Sequence, residues 1–142
     1  MICLALQVLV AKQSTMAKAI FKSYLAYQKA LLLSDHIFEV SNKFPKFEQY
    51  SLTDQIRRSS RSVCANLAEA SEKTAYVKHW RSKLSDCKAE AAETQVWIDF
   101  ALRYKYIDQQ QHKLLLSLND EVCRLLYYMM KNPWQFGVKT AK

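Results

Sequence analysis

Apolar residues recur along this chain at intervals of three and four, and four long stretches carry the pattern. In the first, Ile20, Tyr24, Tyr27, Leu31 and Phe38 form a stripe that predicts an amphipathic helix over residues 17–43. Pro45, in "KFPKFEQYS", stops it by disfavouring helical geometry at Phe44 and removing a backbone donor. The second stretch opens at Ser51, an expected N-cap with Asp54 completing an S-x-x-D variant of the capping box. Its core face is Leu52, Ile56, Val63, Leu67 and Ala70, and the small Ser59 and Ser60 suit close approach of another helix. A third helix is predicted over residues 76–104, where Val77, Trp80, Leu84, Cys87, Ala91, Thr94, Ile98 and Ala101 keep an unbroken three-four rhythm. Asp108 and Gln111 form the next capping signal, and Leu115, Leu118, Val122, Leu125 and Met129 carry a fourth helix that Pro133 ends.

Four such stripes with short connections predict an all-α fold, an antiparallel up-down-up-down four-helix bundle with long helices. The third helix, about 28 residues at about 1.5 Å each, would be about 42 Å long. Apolar faces that include Trp80, Trp97, Tyr127 and Tyr128 offer more surface than one such core needs, so self-association is expected. The expected organisation is an N-terminal extension (1–15), a bundle domain (16–132) and a C-terminal tail (133–142), with Trp134 and Phe136 as candidates to fold back. The opening "MICLALQVLVAKQSTMAK" lacks the basic start and the A-x-A-like site of a signal peptide, and Met16 offers an alternative translation start. Its apolar run is too short to cross a bilayer, which takes about 20 residues.

Composition sharpens this picture in three ways. One Gly and two Pro in 142 residues leave few places for tight turns, which agrees with long helices. The formal net charge of +8 makes polyanions or acidic proteins the expected partners. Part of the excess is local: residues 51–83 hold seven Lys/Arg against Asp54, Glu69 and Glu72, 7 − 3 = +4. Cys3, Cys64, Cys87 and Cys123 are widely spaced without a C-x-x-C, the expectation for buried free thiols in a reducing cytoplasm.

Between about Phe21 and Met130 the chain resembles a known family, the four-helix-bundle proteins of 23S ribosomal RNA intervening sequences. The group includes the accessory variability determinant proteins of diversity-generating retroelements. "FPKFEQYSLTDQIRRSSRSVCANLAEA" is similar to the family's FP-x-x-E-x-Y-x-L-x-x-QIRRA followed by N-[IL]-A-E-G, and "EAAETQVWI" to its E-A-x-E-T-x-x-W-L. "YKYI" resembles the family's G-Y-[IL] at the last helix. Two positions depart from the pattern, Ala70 and Lys105, where the family has Gly. Without that Gly the second helix is expected to run on through residues 71–73. The resemblance implies a homopentamer without established enzymatic activity. In the retroelement branch it implies a basic barrel that binds nucleic acid and a reverse transcriptase.

The most basic segment, "QIRRSSR", admits two readings, phosphate contact or internal bracing. Arg57 and Arg61 share a helix face, whereas Arg58 is rotated by about 100 degrees. Arg58 is the expected bridge to Glu90 and Glu93 of the third helix, and Arg57 with Arg61 the expected outward, nucleic-acid-binding pair. Lys78 and Arg81 are further candidate nucleic-acid contacts, set against the alternative that they, with Lys83 and Lys88, form a solvated face. Asn66 and Glu69 are expected to act structurally, Asn66 as a buried amide that fixes helix register, and Gln55 and Tyr50 to brace the loop. Tyr76 and Trp80 read as core.

No catalytic, cofactor or metal residues are expected. None of His36, His79 and His112 follows a Glu by three positions as a di-iron bundle requires, and Gly137 alone cannot make a phosphate loop. Two classes of function follow: an oligomeric, cytoplasmic accessory binding RNA or DNA with little sequence preference, or a scaffold docking an acidic protein partner. No sequence-reading motif favours a particular site.

Overall fold

The computed structural model describes residues 20–140. Among them the chain forms four helices, α1 (Leu25–Ser41), α2 (Leu52–Ser71), α3 (Val77–Arg103) and α4 (Gln109–Lys131), and no strand. Short 3₁₀ turns occupy Ile20–Ser23, Lys46–Glu48 and Pro133–Phe136. The expected extension, Cys3 and Met16 lie outside the described residues. No helix among the described residues is long and apolar enough to cross a membrane.

The rhythm of three of the four helices is the one that packs. On α3 every predicted stripe position from Trp80 to Ala101 is buried, with Val77 half-buried at the start. On α2 Leu52, Ile56, Val63, Leu67 and Ala70 are buried, and Ser59 and Ser60 with them. The α4 stripe holds except that Leu126, not Leu125, is the fully buried leucine. α1 differs. The helix is shorter than expected, and its buried face is Ala26, Ala30, Leu33, Ser34, Ile37 and Ser41, while Ile20, Leu31 and Phe38 are exposed. "ALLLSDHIF" is apolar around most of its circumference, so spacing alone allowed a second phase; the small residues mark the side where neighbouring helices come close.

α2 packs on α1 and α3, and α4 on α3 and α1. Contacts step up α2 while stepping down α3: Arg58 meets Glu93 and Glu90, the Ser59 hydroxyl lies 2.9 Å from that of Thr94, Cys87 Sγ donates to the Val63 carbonyl (3.7 Å), and Lys83 pairs with Glu69 (2.7 Å). The core divides into two clusters. Trp80, Leu84, Leu67 and Leu126 belong to one, and Ile37, Ile56, Ile98 and Leu115 to the other. Between them lie Ser59 and Ser60 on α2, Thr94 on α3 and Asn119 on α4, all buried. Asn119 Nδ2 donates to the Ala91 carbonyl at 3.0 Å, so the register-fixing amide is Asn119. Asn66, predicted for that role, is only half-buried.

Helix ends show which groups satisfy the orphan backbone donors and acceptors. At α4 the expected capping box forms, with the Gln111 amide donating to Asp108 Oδ1 (2.7 Å) and the Asp108 amide to Gln111 Oε1 (2.9 Å). At α2 the expected box does not form. The Ser51 hydroxyl instead donates to Glu48, whose Oε2 also accepts the Leu52 amide at 3.2 Å. An anionic carboxylate at the positive end of the helix is the stronger acceptor. The far end of α2 stops at Ser71, short of the expected run through residue 73. The tail is ordered against the core through residue 138: Phe136 meets Tyr24 and Trp80 edge-on and tilted, Val138 is buried, and the Lys139 amide donates to the Thr74 carbonyl at 2.9 Å. Trp134 stays exposed.

α3 ends in a Schellman motif, in which Tyr106 N donates to Ala101 O (2.8 Å) and Lys105 N to Leu102 O (2.9 Å). Lys105 accordingly sits at φ 62°, a left-handed conformation that burdens a residue with a Cβ. Lys105→Gly is therefore expected to stabilise the protein by about 1 kcal/mol, read as a higher urea midpoint at unchanged slope.

Candidate nucleic-acid interface

The three arginines of α2 diverge because 100 degrees of rotation per residue sends each toward a different neighbour. Arg58 points to α3. Its Nη1 reaches both Glu90 oxygens at 3.4 Å, Nη2 bonds Glu93, and Nε donates to Gln55 Oε1 at 3.3 Å. These contacts raise the Arg58 pKa, the Glu93 bond most. Glu93 also accepts the Trp97 indole N–H at 3.1 Å. Its carboxyl is held below the usual range, chiefly by Arg58 and secondarily by Trp97, against the opposing effect of desolvation. The expected bridge to Glu90 and Glu93 is thus in place, and Gln55, expected to brace the loop, accepts from Arg58 instead, yet the Arg58 side chain is 44% exposed. It is a hydrated brace, and the large cost of breaking a buried pair does not apply.

Arg57 is not the free outward residue that was expected. Its Nε donates to Ser41 Oγ at 2.7 Å and Nη2 to Asn42 Oδ1 at 2.9 Å, while the guanidinium sits 4.8 Å from the centre of the Phe38 ring. α1 ends beside this point of α2, so its last turn supplies the acceptors. Arg61 is exposed, touches the Phe38 ring from 5.9 Å and has no ion-pair partner among the described residues. All three arginines line one groove of about 610 Å³ on the outer face of α2, together with Gln49, Tyr50, Thr53, Asp54, Ser62 and Ala65. Tyr50 is 89% exposed at its rim and braces nothing, contrary to expectation.

Lys78 and Arg81 do not join this groove. Lys83 of α3 pairs with Glu69 of α2, so Arg81 lies about ten residues' rise, roughly 15 Å along the bundle, from Arg61. Lys78 lines a separate recess with Tyr76, His79 and Lys139, and Arg81 Nε donates to the Met130 carbonyl at 3.4 Å. Tyr76, read as core, is exposed and tilts against His79, whereas Trp80 is fully buried. Glu69 serves structurally through Lys83.

Glu48 is the polar residue that sequence reasoning passed over. Besides capping α2 it accepts the Tyr106 hydroxyl at 3.0 Å, joining the α1–α2 loop to the α3–α4 loop. Ser51 first, then the Leu52 amide and Tyr106, hold its carboxyl below the usual range, against desolvation. Of the thiols expected to be buried, Cys87 is, whereas Cys64 and Cys123 are half-buried. Burial pushes Cys87 up to about 12 and Cys64 up to about 11, and raises Cys123. Among the described residues no group of His, Cys, Asp and Glu is placed to hold a metal ion.

A helical protein of this size, with arginine-rich α2 braced on the carboxylates of α3, defines a class of small all-α proteins whose polar work lies on helix faces. The family model for the 23S rRNA-intervening sequence protein matches residues 22–128, and the chain belongs to that family. It is similar to a protein of unknown function from the S23 ribosomal protein family of Bacteroides thetaiotaomicron VPI-5482. That crystal structure matches with a TM-score of 0.68 at 26% sequence identity, over 75% of this chain and 99% of that one. No curated protein matches the chain.

The Arg58–Glu93 contact sets a pH dependence. A folded-state pKa below the unfolded value means that the stabilisation is complete above the ordinary glutamate value of 4.5 and is lost as pH falls through the folded value. Glu93→Gln is expected to be less stable than wild type at about pH 7, by about 1 kcal/mol or less given the exposure of Arg58. The difference should shrink as pH is lowered beyond the ordinary glutamate value of 4.5, as urea unfolding at neutral and at acid pH would measure.

Proposed function

We propose that this protein is a non-enzymatic, basic accessory that binds RNA or DNA with little sequence preference. The observation that carries the reading is the α2 groove, where Arg61 offers an unpaired guanidinium beside the partly committed Arg57 and Arg58. Phosphate contacts from such residues position a strand without reading bases. The non-enzymatic part rests on the same chemistry. Glu93 is engaged by Arg58 and Trp97, and the thiolates are disfavoured by burial, so neither supplies a poised acid, base or nucleophile.

The proposed assembly is an antiparallel up-down-up-down bundle that forms a homopentamer in the cytoplasm. The opposed stepping of contacts between α2 and α3 supports the first part. Exposed Leu25, Leu31, Leu32 and Phe38 on α1 support self-association. The basic groove of α2 also supports a second reading, a scaffold that docks an acidic protein; a reverse transcriptase is one partner of either reading.

Light scattering on the purified protein is expected to give the mass of five 16.6 kDa chains. In a salt series with RNA and DNA, wild type should bind with a steep slope. Arg61→Ala, which removes no bond within the fold, should lose affinity and flatten the slope by about one phosphate contact. Absence of binding at low salt would transfer the basic face to a protein partner.

A further inference from the structure

Resting on the nucleic-acid reading of the α2 groove, we infer that its ligand is single-stranded, with a base stacked on Tyr50 and a phosphate further along the same strand held by Arg61. The groove is chemically divided along its length. At one end the phenol ring of Tyr50 stands almost wholly in solvent on the loop before α2, and neighbouring Phe47 is 79% exposed. Asp54 follows one turn into the helix, and Arg57, Arg58 and Arg61 occupy the other end. Asp54 repels phosphate from the middle of the groove, but its carboxylate can accept from the exocyclic amino group of a base. Thr53 and Ser62 add hydroxyls to the lining, on opposite sides of the groove.

A duplex hides its base faces in the stack and presents phosphates on both sides, so it would bring charge to Asp54 and leave Tyr50 without a partner. A single strand offers exposed base faces and phosphates along one path, which suits a groove that presents ring, carboxylate and guanidinium in turn. The roughly 10 Å rise from Asp54 to Arg61 suits a short stretch of strand. Stacking is tolerant of base identity, so the device adds strand discrimination without adding sequence reading.

The test compares unstructured single strands of about 20 nucleotides, RNA and DNA, with a blunt duplex of the same sequence, across a salt series. Wild type should prefer the single strand about tenfold or more, within what one or two stacked bases provide. Tyr50→Ala should weaken single-strand binding about fivefold or more while leaving the salt slope unchanged, and Tyr50→Phe should retain it. Arg61→Ala should lower the slope by about 0.7. Equal binding of both forms, or an unaffected Tyr50→Ala variant, overturns the single-strand inference and leaves the nucleic-acid reading standing. Failure of wild type to bind either form overturns both. Tyr50 lies in solvent and Arg61 makes no internal hydrogen bond, so both variants should keep the wild-type helical signal.

Discussion

Where α2 crosses α3, Ser59 and Thr94 bring two hydroxyls to 2.9 Å in the middle of the protein, and Thr94 Oγ1 lies 2.8 Å from the Glu90 carbonyl. Neither residue has measurable exposure. Side chains this small let two helix backbones approach, and the hydroxyl pair links the helices at this turn, although each hydroxyl also has an acceptor on its own helix, Ser59 on the Ile56 carbonyl and Thr94 on the Glu90 carbonyl. Asn119, donating to the Ala91 carbonyl, applies the same constraint between α4 and α3. The amide has one oxygen without a protein partner among the described residues, so the layer is incompletely satisfied and contributes register more than stability. The apolar clusters on either side are less selective. Leucine, isoleucine and tryptophan pack wherever volume allows, and the polar layer decides which turn of α2 faces which turn of α3.

The exterior inherits that registration. With Ser59 opposite Thr94, the preceding residue, Arg58, falls beside Glu90 and Glu93, and Arg57 and Arg61 rotate away toward the end of α1. At the α2 entrance Glu48 joins Ser51, the Leu52 amide and Tyr106 into one cluster, and the Schellman turn at Lys105 delivers Tyr106 to it. Two loops that are distant in sequence thus hold a common end. The arginine groove begins just beyond this cluster, at Gln49 and Tyr50, and the Tyr50 ring projects into solvent.

Much of this was legible from residue spacing. α3 and α4 were placed nearly to the residue, because a long amphipathic rhythm has one phase and the Asp108–Gln111 cap is local chemistry. The Arg58 bridge followed from rotation about α2. The strained position of Lys105 agrees with the glycine that the resembling pattern carries there. What spacing could not resolve shares one physical cause, dependence on a partner distant in sequence. α1 is apolar on several faces, so only its neighbours choose the buried one. Ser51 lost the capping role to a carboxylate three residues earlier, and Arg57 found acceptors on Ser41 and Asn42 that no periodicity announces. Asn66 and Asn119 are both asparagines beside an apolar stripe, and burial distinguished them only once the helices were packed.

The division of labour among the cations follows from the same packing. Lys29, Arg58 and Lys83 are tied to carboxylates on neighbouring helices, so they act as links between helices and contribute less to the outward field. Arg57 is tied to neutral acceptors and keeps its full charge, and Arg61 keeps both its charge and its hydrogen-bonding capacity. On this basic helix face the groups that brace the helices, Arg57 and Arg58, and the group that faces solvent, Arg61, are different residues. Under the proposed reading, affinity would be set at Arg61 independently of stability, whereas changes at Arg58 would move both.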